Sequence, residues 1–237
     1  MREKDILNQL EHDNILRLES YFHDSDNCYF LFELCEVGDL SSFITENKKL
    51  GSRLTRHYSM ELINAIEHLQ QHNVVHRDLK PQNILFDDTF HIRLADFGAA
   101  KKIDPEEIEE DLADKKFDGN ESGEDDDSSD DDDSSIMFSS DEEDMEVEEV
   151  ALNRERTHIG SPLYISPEMI KYQIACYGSD LWALGCIIYE CISGKPPFFG
   201  PNKFIIEDKI VNADFKFPKS FNKQAKDLVS KLLKPDP

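Results

Sequence analysis

The feature that most restricts the fold of this chain is a run of eight residues, HRDLKPQN at 76–83, followed at fixed distances by two shorter motifs. DFG begins thirteen residues after Asn83, at 96–98, and SPE occupies 166–168. Seven positions of the run are fixed, and at about 5% usage per residue type such a match arises by chance in roughly one window per billion. A lone Asp-Leu-Lys is usually solvated surface and a lone DFG is usually a turn, but their combination at this spacing predicts a catalytic centre.

Together these motifs resemble the catalytic core of the protein kinases, and the resemblance covers the chain outside residues 104–150. It implies an α+β, protein-kinase-like two-lobe fold with a mainly helical C-lobe. The stretches REKDILNQLEH, SDLWALGCIIYE and FPKSFNKQAKDLVSKLL are similar to the phosphoinositide-dependent protein kinases, within the group related to cyclic-AMP-dependent kinase. We therefore expect residues 1–237 to form a partial kinase domain, with 1–34 as an N-lobe remnant and 35–237 as the hinge and C-lobe.

Hydrophobic spacing places these motifs on secondary-structure elements. A short helix ends before HDN at 12–14, and ILRLESYF and NCYFLFEL are predicted strands joined by a turn at 23–27. Three-four spacing predicts helices over 56–72, SDLWALGCIIYECISG and AKDLVSKLL. The second of these helices is predicted to have Ser179 or Asp180 as its N-cap and to end at Gly194. VVHRDLKPQN is predicted to be a loop, followed by a hairpin of ILF and HIRLAD.

The residue types of the motifs suit phosphoryl transfer, which depends on positioning and charge neutralisation. By the resemblance, Asp78 accepts or orients the proton of the substrate hydroxyl, and Lys80 neutralises the transferring phosphate. Asn83 and Asp96 would hold Mg²⁺, a hard cation that prefers oxygen ligands. Lys80 is typical of the Ser/Thr-specific branch, so the expected reaction is ATP-dependent phosphorylation of Ser/Thr hydroxyls in protein substrates.

The resemblance also implies a nucleotide site. The backbone of Glu33 and Cys35 would form the hinge that binds adenine, and Phe32 would guard the back of the pocket. Asp39 matches the acid that contacts the ribose, and Leu85 would pack under the adenine ring.

The resemblance also implies a set of residues with structural roles. Leu7, Leu18, His76 and Phe97 match a hydrophobic column that links the lobes, and Asp180 would anchor its base to the catalytic loop. Gln82 replaces an acid that often selects basic substrates in this group, so the substrate preference stays open.

Regulation is implied at the activation segment, between DFG and SPE. Thr157 matches the activating phosphosite, and Arg77, Lys101 and Arg2 match the basic receptor for its phosphate. Glu3 matches the helix acid that pairs with a strand lysine.

Two expected parts find no match in the sequence. No GxGxxG loop and no VAIK-type lysine occur before Glu3, and the Arg expected to pair with Glu168 would lie beyond Pro237. We therefore expect residues 1–237 alone to be a weak or inactive enzyme. The alternative function is a non-catalytic kinase-like binding module, or an inactive fragment. An acidic scaffold is a third possibility, but it accounts only for residues 104–150.

The formal charge of −24 is concentrated in one segment. Residues 104–150 hold 24 Asp and Glu against two lysines, which leaves a balance of −2 for the rest of the chain. This composition predicts a disordered insert in the activation segment, and a passive solvated loop is the plain alternative. Because no basic stripe exists elsewhere, no nucleic-acid partner is expected. An acid-directed kinase is a candidate partner, since each of these serines of the insert has an acid three residues on: Ser128, Ser129, Ser139 and Ser140.

No pair of the five cysteines has CxxC spacing and no histidine lies at zinc-finger spacing, so no metal site of this kind, or other structural metal, is expected. With no signal peptide recognised, we expect reduced cysteines and a cytoplasmic location, with the nucleus as the alternative. The longest apolar stretch, at 181–192, contains Glu190 and is too short to span a bilayer.

Overall fold

The computed structural model describes residues 2–106, 108, 112 and 162–235. Over these residues the chain forms seven α-helices and three two-stranded antiparallel sheets, so the α+β prediction with a mainly helical C-terminal part is confirmed. None of the helices in the described part combines the length and apolar character that a bilayer crossing needs. The predicted disorder of the insert concerns residues that lie almost entirely outside the described ranges, so it stays a prediction.

The N-terminal part consists of helix α1 (Arg2–Leu7) and the antiparallel strands β1 (Leu18–His23) and β2 (Cys28–Phe32). The predicted turn at 23–27 is confirmed, because Asp24 Oδ1 accepts the backbone N–H groups of the two residues before Cys28, at 2.8 and 2.7 Å. β1 begins later than predicted. Ile15 and the residue after it pair with Leu94 instead of with β2.

The central part contains helices α2 (Leu40–Asn47) and α3 (Ser52–Gln71) and four short strands. The strands are β3 (Val74–Val75), β4 (Ile84–Phe86), β5 (Ile92–Leu94) and β6 (Lys101–Lys102). β4 and β5 form the predicted hairpin. The prediction of a continuous loop over VVHRDLKPQN is wrong at its two ends. Its first two residues are β3, which pairs with β6, and PQN forms a 3₁₀ turn.

The C-terminal part contains helices α4 (Pro167–Tyr172), α5 (Tyr177–Ser193), α6 (Lys203–Val211) and α7 (Lys223–Leu232). α5 is the buried centre of this part and packs against α3 and α7. Its Trp182 ring stacks on Phe198 with centroids 5.4 Å apart. At Gly185 a Cβ would lie 2.9 Å from Leu232 Cβ, so α5 and α7 approach more closely than a larger residue at 185 would allow.

The predicted start of α5 at a Ser179 or Asp180 cap is wrong, because the N-cap is Cys176. Ser179 stands at the third helical position, where its Oγ accepts the Cys176 N–H at 3.1 Å. The same hydroxyl donates to the buried Glu168 Oε1 at 2.5 Å, which ties α4 to the start of α5. Ser179 therefore still caps this end of the helix, but from inside it. The predicted end is confirmed, since Gly194 adopts a left-handed φ of 79° and its N–H donates to the Glu190 carbonyl oxygen.

Candidate functional site

The HRDLKPQN loop is anchored to α5 by the buried carboxylate of Asp180. Asp180 Oδ2 accepts the His76 N–H at 2.8 Å, and Oδ1 accepts the Arg77 N–H at 3.1 Å. These bonds hold Arg77 in a left-handed conformation with φ 69°, and Asp78 follows directly. Burial raises the pKa of Asp180 to about 6, and the two N–H donors oppose that rise. The predicted anchor between Asp180 and the loop is thus present.

His76 connects this loop to the DFG segment. Its Nε2 is 3.1 Å from the Ala95 carbonyl oxygen, which can only accept, so Nε2 carries the proton. Nδ1 then accepts the Asp78 N–H at 3.4 Å. Burial lowers the pKa of His76 to about 4, so the ring is neutral at pH 7. The ring packs edge-on against Phe97, with centroids 4.8 Å apart. Leu7 lies in the same core, and Leu18 packs against it, as the predicted column requires.

The side chains of the three predicted catalytic residues, Asp78, Lys80 and Asn83, are linked by hydrogen bonds. Lys80 Nζ donates to Asp78 Oδ2 at 2.6 Å. Asn83 Nδ2 donates to the same oxygen at 3.2 Å and to the Asp78 carbonyl oxygen at 2.9 Å. The 3₁₀ turn that starts at Pro81 folds the chain back so that Asn83 reaches Asp78. The Asp78 side chain remains about a third exposed, so a substrate hydroxyl can reach its carboxylate.

Asp96 presents an exposed carboxylate from a left-handed backbone with φ 63°. Its Oδ1 accepts the Gly98 N–H at 3.4 Å, and a Cβ at position 98 would lie 3.3 Å from that oxygen. Because the Asn83 nitrogen donates to Asp78, the oxygen of that amide is the atom a cation would use. A carboxylate and an amide oxygen fit the ligands that Mg²⁺ prefers.

α1 brings the predicted helix acid, Glu3, toward this group. Burial raises the pKa of Glu3, and the negative charge of Asp96 raises it further. Because the charge of Asp96 disfavours the ionised form of Glu3, a cation bound between the two side chains would be stabilising.

The predicted nucleotide-binding residues lie around the end of β2. Glu33 is held to the residue that precedes β1, since its Oε1 accepts the Arg17 N–H at 2.8 Å. Burial raises the pKa of the Cys35 thiol, and Glu33 adds to the rise. Asp39 and Leu85 are brought together by a backbone bridge. The Asp39 carboxylate also caps α2 by accepting the Ser42 N–H at 2.9 Å, a structural role that the sequence analysis missed.

The structure describes part of the predicted phosphate receptor. Arg77 Nε donates to the Ala99 carbonyl oxygen at 2.5 Å, two residues before the exposed Lys101 on β6. Arg2 begins α1, which packs against β6. Thr157 lies outside the described residues, so its regulatory role stays a prediction.

A groove beside the catalytic loop was not predicted. It encloses about 400 Å³ and is lined by side chains of α2 and the loop: Ser41, Ser42, Thr45, Glu46 and Gln82. Gln82 Nε2 donates to Ser41 Oγ at 3.2 Å. The groove is therefore polar, with Glu46 as the acid among the residues that line it. The signal that could have revealed it is the start of α2 after Asp39, a good N-cap residue.

Comparison with known proteins agrees with this geometry. The sequence profile described as "Protein kinase domain" matches residues 1–130 and 144–237. Human 3-phosphoinositide-dependent protein kinase 1 is 32% identical over 232 residues, covering 98% of this chain and 34% of the human protein. The Arabidopsis thaliana protein of the same name is 31% identical over 235 residues, covering 99% of this chain and 41% of that protein.

A yeast relative extends the comparison. Serine/threonine-protein kinase PKH3 of Saccharomyces cerevisiae is 35% identical over 210 residues, covering 89% of this chain and 20% of that protein. The chain thus spans less than half the length of these three relatives. Matching motifs, site geometry and profile lead to one conclusion: the chain belongs to the protein kinase family, and its domain is similar to those of the 3-phosphoinositide-dependent serine/threonine kinases.

Proposed function

We propose that this domain transfers the terminal phosphoryl group of ATP to Ser or Thr hydroxyls of protein substrates. The observation that carries the proposal is the meeting of Asp78, Lys80 and Asn83 at a single carboxylate oxygen, at 2.6 and 3.2 Å. A carboxylate beside an ammonium group can orient a hydroxyl and neutralise the charge that develops on the phosphoryl group.

Each residue has a distinct role in this proposal. Asp78 accepts a hydrogen bond from the substrate hydroxyl and takes its proton as the new ester bond forms. Lys80 is placed to stabilise negative charge next to that hydroxyl. Asn83 and Asp96 would bind Mg²⁺, which supplies charge neutralisation to the phosphates of ATP when bound. Asp180 acts through the loop, because it positions the backbone that carries Asp78.

The serine/threonine preference is supported by Lys80 and by the similarity to serine/threonine-protein kinase PKH3. The polar groove at Gln82 and α2 lies next to the catalytic loop, where a substrate side chain could enter. A long basic side chain would find one carboxylate there, that of Glu46.

The proposal is tested with two proteins, residues 1–237 and a chimera that adds the N-terminal strands of the human relative. The added segment supplies the phosphate-binding loop and the lysine that residues 1–237 do not contain. We expect the chimera to phosphorylate a generic Ser/Thr peptide, and residues 1–237 to show little turnover. Asp78→Asn in the chimera should lower kcat by at least about 100-fold, because general-base catalysis contributes roughly that much.

Asp88→Asn is the matched control, because Asp88 lies in the β4–β5 turn near Asp78 in sequence and takes no part in the site. It should leave kcat unchanged. A chimera that binds ATP but transfers no phosphate, with Asp78→Asn indistinguishable from wild type, would favour the non-catalytic binding module instead. Full turnover by residues 1–237 alone would refute the expected weakness of this chain.

A further inference from the structure

Three metal-ligating side chains that the kinase motifs do not use converge beside the β4–β5 hairpin. His57 and Glu61 lie one turn apart on α3, and His91 follows the tight turn between the strands. His57 Nε2 is 3.4 Å from Glu61 Oε1, and His91 Nδ1 is 2.5 Å from the same oxygen. The possible ligand atoms of all three residues lie within 4.8 Å of one another.

The carboxylate of this cluster is preorganised. Glu61 is buried, and its Oε2 accepts the Ile92 N–H at 3.0 Å, which orients the carboxylate and leaves Oε1 beside both imidazoles. Outer hydrogen bonds of this kind fix the ligands of metal sites in proteins. The hairpin turn is also fixed, because Asp87 Oδ1 accepts the backbone N–H groups of Thr89 and His91, each at 2.9 Å.

Access to the cluster is open from solvent. The side chains of His57 and His91 are 47% and 53% exposed, while that of Glu61 is 12% exposed. The cluster therefore has a buried, oriented carboxylate as its floor and two rotatable imidazoles at its rim. A cation can enter without any movement of the backbone.

A plain hydrogen bond explains only part of this arrangement. It accounts for His91 and Glu61 but gives no reason for a second imidazole nitrogen close to the same oxygen. In a tetrahedral site with bonds of about 2.0–2.1 Å, ligand atoms lie about 3.4 Å apart. The His57–Glu61 pair already has that separation. His91 would need to withdraw by about 1 Å, which rotation of a half-exposed side chain provides.

We propose that His57, Glu61 and His91 bind a divalent transition metal, with Zn²⁺ as the representative ion and water completing its coordination. Two imidazoles and one carboxylate suit zinc and similar ions, whereas Mg²⁺ prefers oxygen ligands alone. The metal would join α3 to the hairpin whose first strand directly follows Asn83. Its role is structural, because it stabilises the fold around the catalytic loop without touching the reacting groups.

The test is a titration of residues 1–237 with Zn²⁺, followed by thermal unfolding. A site that binds only the folded state raises Tm by roughly 5–10 °C once the ion reaches about 100 times its Kd. The acidic insert offers carboxylates of its own, so Co²⁺ is used as a second probe. Imidazole-ligated, four-coordinate Co²⁺ gives an intense visible spectrum, and carboxylate-bound, six-coordinate Co²⁺ gives a weak one.

Single substitutions separate the site from the insert. His57→Ala and His91→Ala should each weaken binding at least about tenfold and abolish the intense Co²⁺ spectrum. His23→Ala removes another exposed histidine, on β1, and should leave both signals unchanged. Equal Zn²⁺ affinity in all four proteins, or no effect of Zn²⁺ on the Tm of wild type, would overturn the proposal.

A measurement on wild type alone guards against misfolded variants. Saturating Zn²⁺ should protect His57 and His91 from ethoxycarbonylation by diethyl pyrocarbonate, as measured by mass spectrometry, while His23 remains reactive. Unchanged reactivity of both histidines would also overturn the proposal.

Discussion

Replacing Asp180 with Asn removes the buried charge under the catalytic loop while keeping the shape of the side chain. The amide oxygen can accept one of the two N–H groups that Asp180 holds, and the amide nitrogen then faces the other donor. One buried N–H is left without an acceptor, which costs about 1–3 kcal/mol. This loss is opposed by a gain in stability, because the substitution removes the cost of burying an ionised carboxylate.

The gain in stability can be estimated from the pKa of Asp180, which rises from 3.8 to about 6. Because the folded pKa is above the unfolded one, this group stabilises the fold most below about pH 3.8, and that stability is lost as pH rises through about 6. At pH 7 the contribution of Asp180 to the free energy of unfolding is about 3 kcal/mol less favourable than at low pH. At pH 7 we therefore expect Asp180→Asn to lie within about 2 kcal/mol of wild type, because the two effects oppose one another.

His76 acts in the opposite direction over nearly the same range. Its pKa falls from 6.5 to about 4, so its stabilisation is present above about pH 6.5 and is lost as pH falls through about 4. This loss is also about 3 kcal/mol. In wild type the two groups largely cancel between pH 4 and pH 6, and in Asp180→Asn only the loss from His76 remains.

As the pH falls from 7 to 4, we expect the free energy of unfolding of Asp180→Asn to fall by about 2 kcal/mol relative to that of wild type. Urea unfolding followed by fluorescence measures this difference, since the only tryptophan, Trp182, is buried two residues away. Low micromolar protein is needed because the sequence pI is about 4.6. The insert is the same in both proteins, so its contribution cancels in the difference.

Asp227→Asn is the control, because Asp227 has a side chain that is 68% exposed. The difference in free energy of unfolding between Asp227→Asn and wild type should not change with pH by more than about 0.5 kcal/mol. If the difference between Asp180→Asn and wild type is the same at pH 4 and pH 7, the opposing titration of Asp180 and His76 is refuted.

Three further predictions concern the fold and the insert. Gly194→Ala should destabilise the fold by about 2 kcal/mol or more, because a Cβ there would lie 2.0 Å from the Lys48 carbonyl oxygen. Gly51→Ala, where a Cβ meets nothing within 4 Å, should cost less than about 1 kcal/mol. Equal losses in urea unfolding would contradict this prediction. Deleting 104–150 from the chimera should raise basal kinase activity in the Thr157→Ala background, because the carboxylates of the insert compete for the basic phosphate receptor; equal activity would indicate a passive linker. Mass spectrometry of protein from cells should find phosphate on Ser128, Ser129, Ser139 and Ser140, each of which has an acid three residues on. Unmodified peptides at high coverage would count against an acid-directed kinase.

The catalytic loop could be predicted from the sequence because its chemistry is local. Asp78, Lys80 and Asn83 lie within six residues, so one 3₁₀ turn brings them together. The apolar spacing of α3 and α5 was also informative, since a long helix buries one face. Asp180 and His76 are 104 residues apart, and only the resemblance to the kinases predicted their contact.

Other parts of the structure left no readable pattern. β3 and β6 have two residues each, too few for alternation to appear, and their pairing depends on the path of the chain between them. α2 was missed because Asp39 was interpreted as a ligand-binding residue and not as a helix cap. The His57–Glu61–His91 cluster joins a helix to a hairpin turn, so its members become neighbours only after α3 has packed on β5.

The bond between His76 and Asp180 closes a loop of 104 residues that contains the acidic insert. Without residues 104–150 the loop would have about 57 residues, and the entropy of closing the longer one is less favourable by only about 0.5 kcal/mol. The length of the insert therefore costs this contact almost nothing in stability. The order of events during synthesis is affected more strongly. The catalytic loop leaves the ribosome long before Asp180 does, and at about 5–20 residues per second it waits roughly 5–20 s for its anchor. During that interval the strongly acidic segment is the part of the chain that emerges.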